Sequence, residues 1–292
     1  MGFWNALFGG TDQSPEEEKK EQEAKNFDLL KYDGVKAMKM GQTDYSIRCF
    51  REALKLKDDL ETHDYLSLAL LRQGELDDAL KELQTLSDAE PQNLNILLRM
   101  AQVAHMKEDY DKMGNICERA LQIDGDSPQV HFTYAQSYIG QQNTVGAIAM
   151  LTKAISLDEN YADAYLLRGQ TLLSMGDIAG AGADADWLLS KVDDHEDVLL
   201  LKARTEGAKG NTNEAIAIYD KVVELNPFCI EAFQERGQLK FNNGDKNGAE
   251  ADMQKVLELD PNRLADVSGE YSAEGIEQRV RQAYSAINPL GL

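Results

Sequence analysis

The chain has 292 residues, 42% of them hydrophobic, and carries 51 acidic against 30 basic side chains for a net charge of −21. Phosphate binding needs a cationic face, so this balance excludes nucleic acid and an anionic membrane surface as partners and leaves room for cationic ones. Scarce proline and three scattered cysteines, Cys49, Cys117 and Cys229, point to a helical, cytoplasmic protein with reduced core thiols.

Residues 1–13 read as a flexible amphipathic segment. In MGFWNALFGG, Phe3, Trp4, Leu7 and Phe8 fall on one face of a short helix that Gly9 and Gly10 end. Two readings compete. The segment folds back on its own chain or stays a tail, or it docks a partner, a second copy or a lipid surface through that face. Ala6 stands where myristoylation needs Ser or Thr, so that lipidation is not expected. The N-terminus has no basic stretch followed by an apolar run, so no secretory signal is expected. Elsewhere no window approaches the roughly 20 apolar residues of a membrane span.

A helix is predicted from SPEEEKKEQEAK at 14–25, with Ser14 as N-cap, Pro15 at the first helical position and Glu17 completing a capping box. The charge run Glu16–Lys25 reads as a solvated helical extension leading into residue 27.

From residue 27 the chain repeats itself. VVELNP at 222–227 and VLELDP at 256–261 place Pro227 and Pro261 34 residues apart. Counted toward the N-terminus at that interval, with one step of 33, seven units start near 27, 60, 94, 128, 162, 196 and 230. The eighth position is small in each: Gly34, Ser67, Ala101, Ala135, Gly169, Ala203 and Gly237. The twentieth is mostly Ala, with Met113 as the large exception, and the twenty-fourth is apolar throughout, from Phe50 to Met253. Gly41, Gly74, Gly176, Gly210 and Gly244 mark the fifteenth position of five units. Each unit holds two apolar-periodic windows of about 12–14 residues, so two helices are predicted, turning at the mid-unit Gly. A helical pair alone cannot cover both faces and needs a neighbour, which predicts a stacked solenoid over 14–261. Residues 262–292 read as a connector and a C-terminal capping helix. There Ile276, Val280, Ala283, Tyr284 and Ile287 form an apolar stripe for the open end of the stack.

The repeat resembles the tetratricopeptide repeat family, most closely in YADAYLLRGQTLLSMGDIAGAGADADWLLSKVDD at 161–194. The resemblance implies an all-α, right-handed α-solenoid of seven helix-turn-helix repeats, acting as a non-catalytic scaffold or adaptor. It implies that positions two, five, nine, twelve and thirteen of the first helices face a concave groove that takes a partner's peptide. Carried over, position nine supplies Gln102, Gln136, Gln170, Arg204 and Gln238, preceded by Val35 and Leu68. Position two supplies Asp163, Asp197 and Glu231 among other polar residues. In-register amides can pair with an extended backbone, although Gln is also a good residue for any wet helix face. The acids also suit the first turn of a helix on dipole grounds alone. The expected partner is another protein, through a basic or extended segment. A carboxylate clamp of the kind chaperone-binding relatives use is not expected, since Lys31 and Arg99 match it while Val35, Tyr65 and Asn95 do not.

Signals for chemistry are weak. GAGADA at 180–185 has the spacing of a dinucleotide loop but falls within a predicted second helix, where it marks a soft joint or a close contact. His63, His105, His131 and His195 are isolated. No metal, cofactor or catalytic residue is assigned.

Overall fold

The computed structural model describes residues 14–192 and 194–261. The N-terminal aromatic segment and the expected C-terminal capping helix lie outside the described residues. The described chain groups into two compact units divided after Gly125. The first holds α1 (Pro15–Lys39), α2 (Thr43–Leu56), α3 (Leu60–Gln73), α4 (Leu76–Ala89), α5 (Leu94–Met106) and α6 (Tyr110–Ile123). The second holds α7 (Pro128–Gly140), α8 (Thr144–Leu157), α9 (Ala162–Ser174), α10 (Ile178–Leu189), α11 (Glu196–Ala208), α12 (Thr212–Leu225), α13 (Ile230–Asn242) and α14 (Lys246–Leu259). No strand occurs among the described residues. Within each unit every helix packs on the next, and first helices touch across a repeat, α1 on α3 and α9 on α11. The fold is an all-α helical-repeat solenoid.

The start of α1 is as predicted. The Ser14 amide donates to Glu17 Oε2 at 2.8 Å, and the Glu17 amide donates to Ser14 Oγ at 3.3 Å. The charge run beyond it stays on the surface, with Lys25 and Glu21 paired at 2.7 Å.

Every turn from first to second helix is made alike. The residue at position fifteen adopts positive φ, and the next amide donates back to the carbonyl five residues earlier: Gln42 to Ala37, Glu75 to Leu70, Asp109 to Ala104, Asn143 to Tyr138, Asp177 to Leu172, Asn211 to Glu206 and Asp245 to Lys240, at 2.8–3.0 Å. This closure leaves the intervening residue left-handed, which glycine does at no steric cost. Asp109, Asn143, Asp177 and Asp245 then cap the second helix through their side chains. In the third and fourth repeats the left-handed position is filled by Glu108 (φ 56°) and Gln142 (φ 60°). A β-carbon there costs about 1–2 kcal/mol, of which the looser unfolded chain of a Gly variant takes back roughly half. Gln142→Gly and Glu108→Gly should each raise the unfolding free energy by about 0.5–1 kcal/mol in urea melts, while Gly210→Ala lowers it by about 1 kcal/mol.

The core follows the repeat phase. All seven residues at position eight, all seven at position twenty and all seven at position twenty-four are buried. The small residue at eight admits the large one at twenty-four. A β-carbon on Gly34 would lie 2.5 Å from the Phe50 ring. Met113, the exception at position twenty, is accommodated at 1% exposure beside Gly114.

A second layer of contacts in residues 126–261 is ionic. Position seven carries Arg168, Lys202 and Arg236 in the last three repeats. Arg168 forks onto Asp184, 16 residues on, with Nε to Oδ2 at 2.9 Å and Nη2 to Oδ1 at 2.6 Å. Arg236 forks onto Asp252 at the same spacing, reaches Asp220 at 2.7 Å, and Lys240 adds a third donor to Asp252 at 3.0 Å. Lys202 joins Asp186 to Glu206, each at 2.7 Å. Asp184, Asp252 and Glu206 are each about 3% exposed, so the pairs they form are core, while Asp186 and Asp220 stand at the surface.

Candidate functional site: the open face of the first helices

The first helix of each repeat gives one side to its own second helix and leaves another uncovered. Position two lies on the uncovered side in all seven repeats: Asp28, Glu61, Asn95, Gln129, Asp163, Asp197 and Glu231 are exposed or partly so. Position nine lies at its edge. Gln102 and Gln170 are exposed; Gln136, Arg204 and Gln238 are half-buried. Val35 and Leu68, the first two members of that series, are half-buried, and Val35 packs against the apolar cluster around Ile47, Phe50 and Leu66.

The structure separates the predicted residues by how occupied they are. Among the described residues, no hydrogen bond is formed by the side chains of Gln102, Gln136 and Gln170. Arg204, by contrast, forks onto Glu235 of the next first helix, with Nε to Oε2 at 2.9 Å and Nη2 to Oε1 at 2.8 Å. The Tyr219 hydroxyl donates to the same Glu235 at 2.6 Å. Burial opposes the Arg204 charge, but the Glu235 carboxylate outweighs it and raises the guanidinium pKa. Gln238 Nε2 donates to Asn242 Oδ1 at 3.0 Å. Arg204 is therefore a bracket between two repeats, and its partner Glu235 was not foreseen from sequence.

The two cations nearest a carboxylate-clamp pattern are occupied in the same way. Lys31 Nζ sits 2.8 Å from Asp59 Oδ2 and 2.5 Å from Glu61 Oε2. Arg99 pairs with Asp64. Burial alone would push the Asp59 carboxyl up, but Lys31 and the hydroxyl and amide of Thr62 outweigh it and bring it down to about 2. Lys31, Arg99 and Arg204 are thus paired within the chain, while Asp163, Asp197 and Glu231 have no cation partner among the described residues.

The remaining chemistry is structural. GAGADA lies within α10. A β-carbon on Gly182 would come within 3.0 Å of Lys209 Nζ, so this glycine marks a close contact with the next repeat. His63 links Asp58 at 2.8 Å to Glu82. Among the described residues no three His, Cys, Asp or Glu side chains stand where they could hold a metal. No described helix is long and apolar enough to cross a membrane.

Paired helices turning at one left-handed residue, stacked through small side chains and leaving one open face, define a helical-repeat protein. The chain is a tetratricopeptide repeat protein. The profile of that repeat matches residues 66–128, and a second profile of the same repeat matches 196–229 and 230–263. The chain is similar to the protein CTR9 homolog of Arabidopsis thaliana, 25% identical over 183 residues, covering 53% of this chain and 17% of that protein. It is similar to DnaJ homolog subfamily C member 3 of Gallus gallus, 22% identical over 279 residues, covering 84% of this chain and 56% of that protein. It thus spans a small part of the first relative and little more than half of the second. A tetratricopeptide repeat protein from Parabacteroides merdae ATCC 43184 shares the fold, with a TM-score of 0.68 at 17% identity over 89% of this chain and 99% of that one. Proteins of this family generally mediate protein–protein interaction.

Proposed function

We propose that this chain is a non-catalytic scaffold that holds an extended, basic segment of a partner protein on the open face of its first helices, in a reducing, cytoplasmic compartment. The observation that carries the reading is the contrast on that face. Gln136 and Gln170 keep both amide functions unused, while Arg204, Lys31 and Arg99 are each paired with a carboxylate of the chain. An amide can accept from one peptide N–H and donate to one carbonyl, which suits a backbone in extended form. The exposed Asp163, Asp197 and Glu231 give the same stretch a negative potential that favours basic side chains and is weakened by salt. Three buried free thiols agree with the compartment.

The test uses an array of unstructured dodecapeptides, half rich in Lys and Arg and half rich in Glu, scored by fluorescence anisotropy at low and high salt. Basic peptides should bind, and raising salt from about 50 to about 300 mM should weaken them roughly tenfold or more. Gln136→Ala/Gln170→Ala should weaken the best of them by about tenfold with an unchanged melting temperature, each lost hydrogen bond being worth roughly 0.5–1.5 kcal/mol. Equal retention of acidic peptides, or unchanged affinity in the double variant, would reject this face as the site.

A further inference from the structure

Within the first unit, the open face contains a recess of about 410 Å³ between α3, the end of α4 and the start of α5. Its apolar wall is Leu86 and Ile96, each 4% exposed, with Leu60 at the mouth. Its polar rim carries three carboxylates, Glu61, Asp64 and Glu90, and one guanidinium, Arg99. The rim charges are unequally matched. Glu61 is met by Lys31 at 2.5 Å and by the Tyr65 hydroxyl at 3.0 Å. Asp64 is met by Arg99. Glu90 receives only the Asn93 side-chain amide, at 2.7 Å, and has no cation partner among the described residues.

We propose that this recess is a specificity pocket for one lysine or arginine side chain of the partner segment, with Glu90 as its ion-pair partner. The proposal rests on the peptide-binding reading, because Glu61 and Asn95 at the rim are position-two residues of consecutive repeats, exposed on the uncovered side of their first helices. The choice of occupant comes from the lining. A long cationic side chain has an apolar stem for Leu86 and Ile96 and a charged head for the rim. An anion would meet three carboxylates, and its one possible counter-ion, Arg99, is already paired. A purely apolar group would strip water from Glu90 and return nothing to it.

The experiment records carbon–proton methyl spectra of the full chain, assigned at Leu60, Leu86 and Ile96, during titration with blocked pentapeptides Gly-Ser-X-Ser-Gly. The central residue X is Lys, Arg, norleucine or Glu. Lys and Arg peptides should shift the Leu86 and Ile96 methyls saturably, and the norleucine and Glu peptides should not. Glu90→Gln should weaken the Lys peptide by about fivefold to tenfold while leaving the starting spectrum and melting temperature unchanged. Equal binding of norleucine and Lys, or no effect of Glu90→Gln, overturns the pocket. The two readings fail separately. If basic dodecapeptides lose affinity with Gln136→Ala/Gln170→Ala but bind Glu90→Gln and the parent alike, the pocket is wrong and the face stands. If the Lys pentapeptide saturates at Leu86 and Ile96 while no dodecapeptide is retained, the pocket stands as a lone cation site and the extended-segment reading is wrong.

Discussion

Arg236→Met is expected to cost about 3–5 kcal/mol of stability in the last two repeats, and Arg236→Met/Asp252→Ile to return most of it. The single change removes both arms of a fork from Asp252, a carboxylate 3% exposed, and leaves it with Lys240 alone. An uncompensated buried charge is what makes a broken pair expensive. Removing both charges exchanges the pair for apolar volume, and the chain already contains that solution. In the third repeat the positions equivalent to Arg236 and Asp252 are Met100 and Ile116, at 2% and 4% exposure. Asp220, which loses its contact with Arg236, has a half-exposed side chain and can be hydrated. Because repeat stability is a sum of local and nearest-neighbour contributions, the loss should be read by amide hydrogen exchange in α12–α14 as well as by urea melts. If the double variant is no more stable than the single one, the ion pairs contribute net stability that apolar packing cannot replace.

The same pairs show where sequence reading reached its limit. The helices, their phase and the turn at position fifteen were legible because seven copies state each requirement seven times, and a required glycine or small residue leaves a mark in most copies. Two of the left-handed positions were not, since Glu108 and Gln142 fill them with residues that look like ordinary solvent-facing ones. Arg168 and Asp184 stand 16 residues apart on different helices. Their charge suggests a wet face although each stands three or four residues from buried neighbours on its own helix, Ala164 and Thr171 for Arg168, Ala181 and Leu188 for Asp184, and only their joint recurrence in Arg236 and Asp252 signals an internal pair. On the open face the series at position nine was legible as a series. Which members are free was not, because the bracket from Arg204 to Glu235 depends on the offset between two first helices. The recess beside Glu90 is assembled from three helices and has no linear signature at all.

Phe50→Ala is expected to cost about 3–5 kcal/mol, and its effect should invert that of a change at Gly34. Phe50 is 0% exposed, and its ring occupies the space where a β-carbon of Gly34 would stand, with ring atoms 2.5, 2.7 and 2.9 Å away. In the parent chain Gly34→Ala therefore has to push a packed ring, and overpacking of that kind costs about 1–3 kcal/mol. Glycine in mid-helix carries its own penalty of roughly 0.5–1 kcal/mol relative to alanine, normally masked here by the contact it permits. Once Phe50 is truncated the obstacle is gone and a cavity is left. Gly34→Ala in that background should then stabilise the chain by about 1 kcal/mol, from helix propensity and partial filling of the void. Thermal melts of the four chains of this cycle give the coupling directly. A sign change at Gly34 identifies ring contact as the reason a glycine sits inside α1. A Gly34→Ala penalty that persists without the ring would mean that backbone approach between α1 and α2, not the Phe50 side chain, sets the small-residue requirement at position eight.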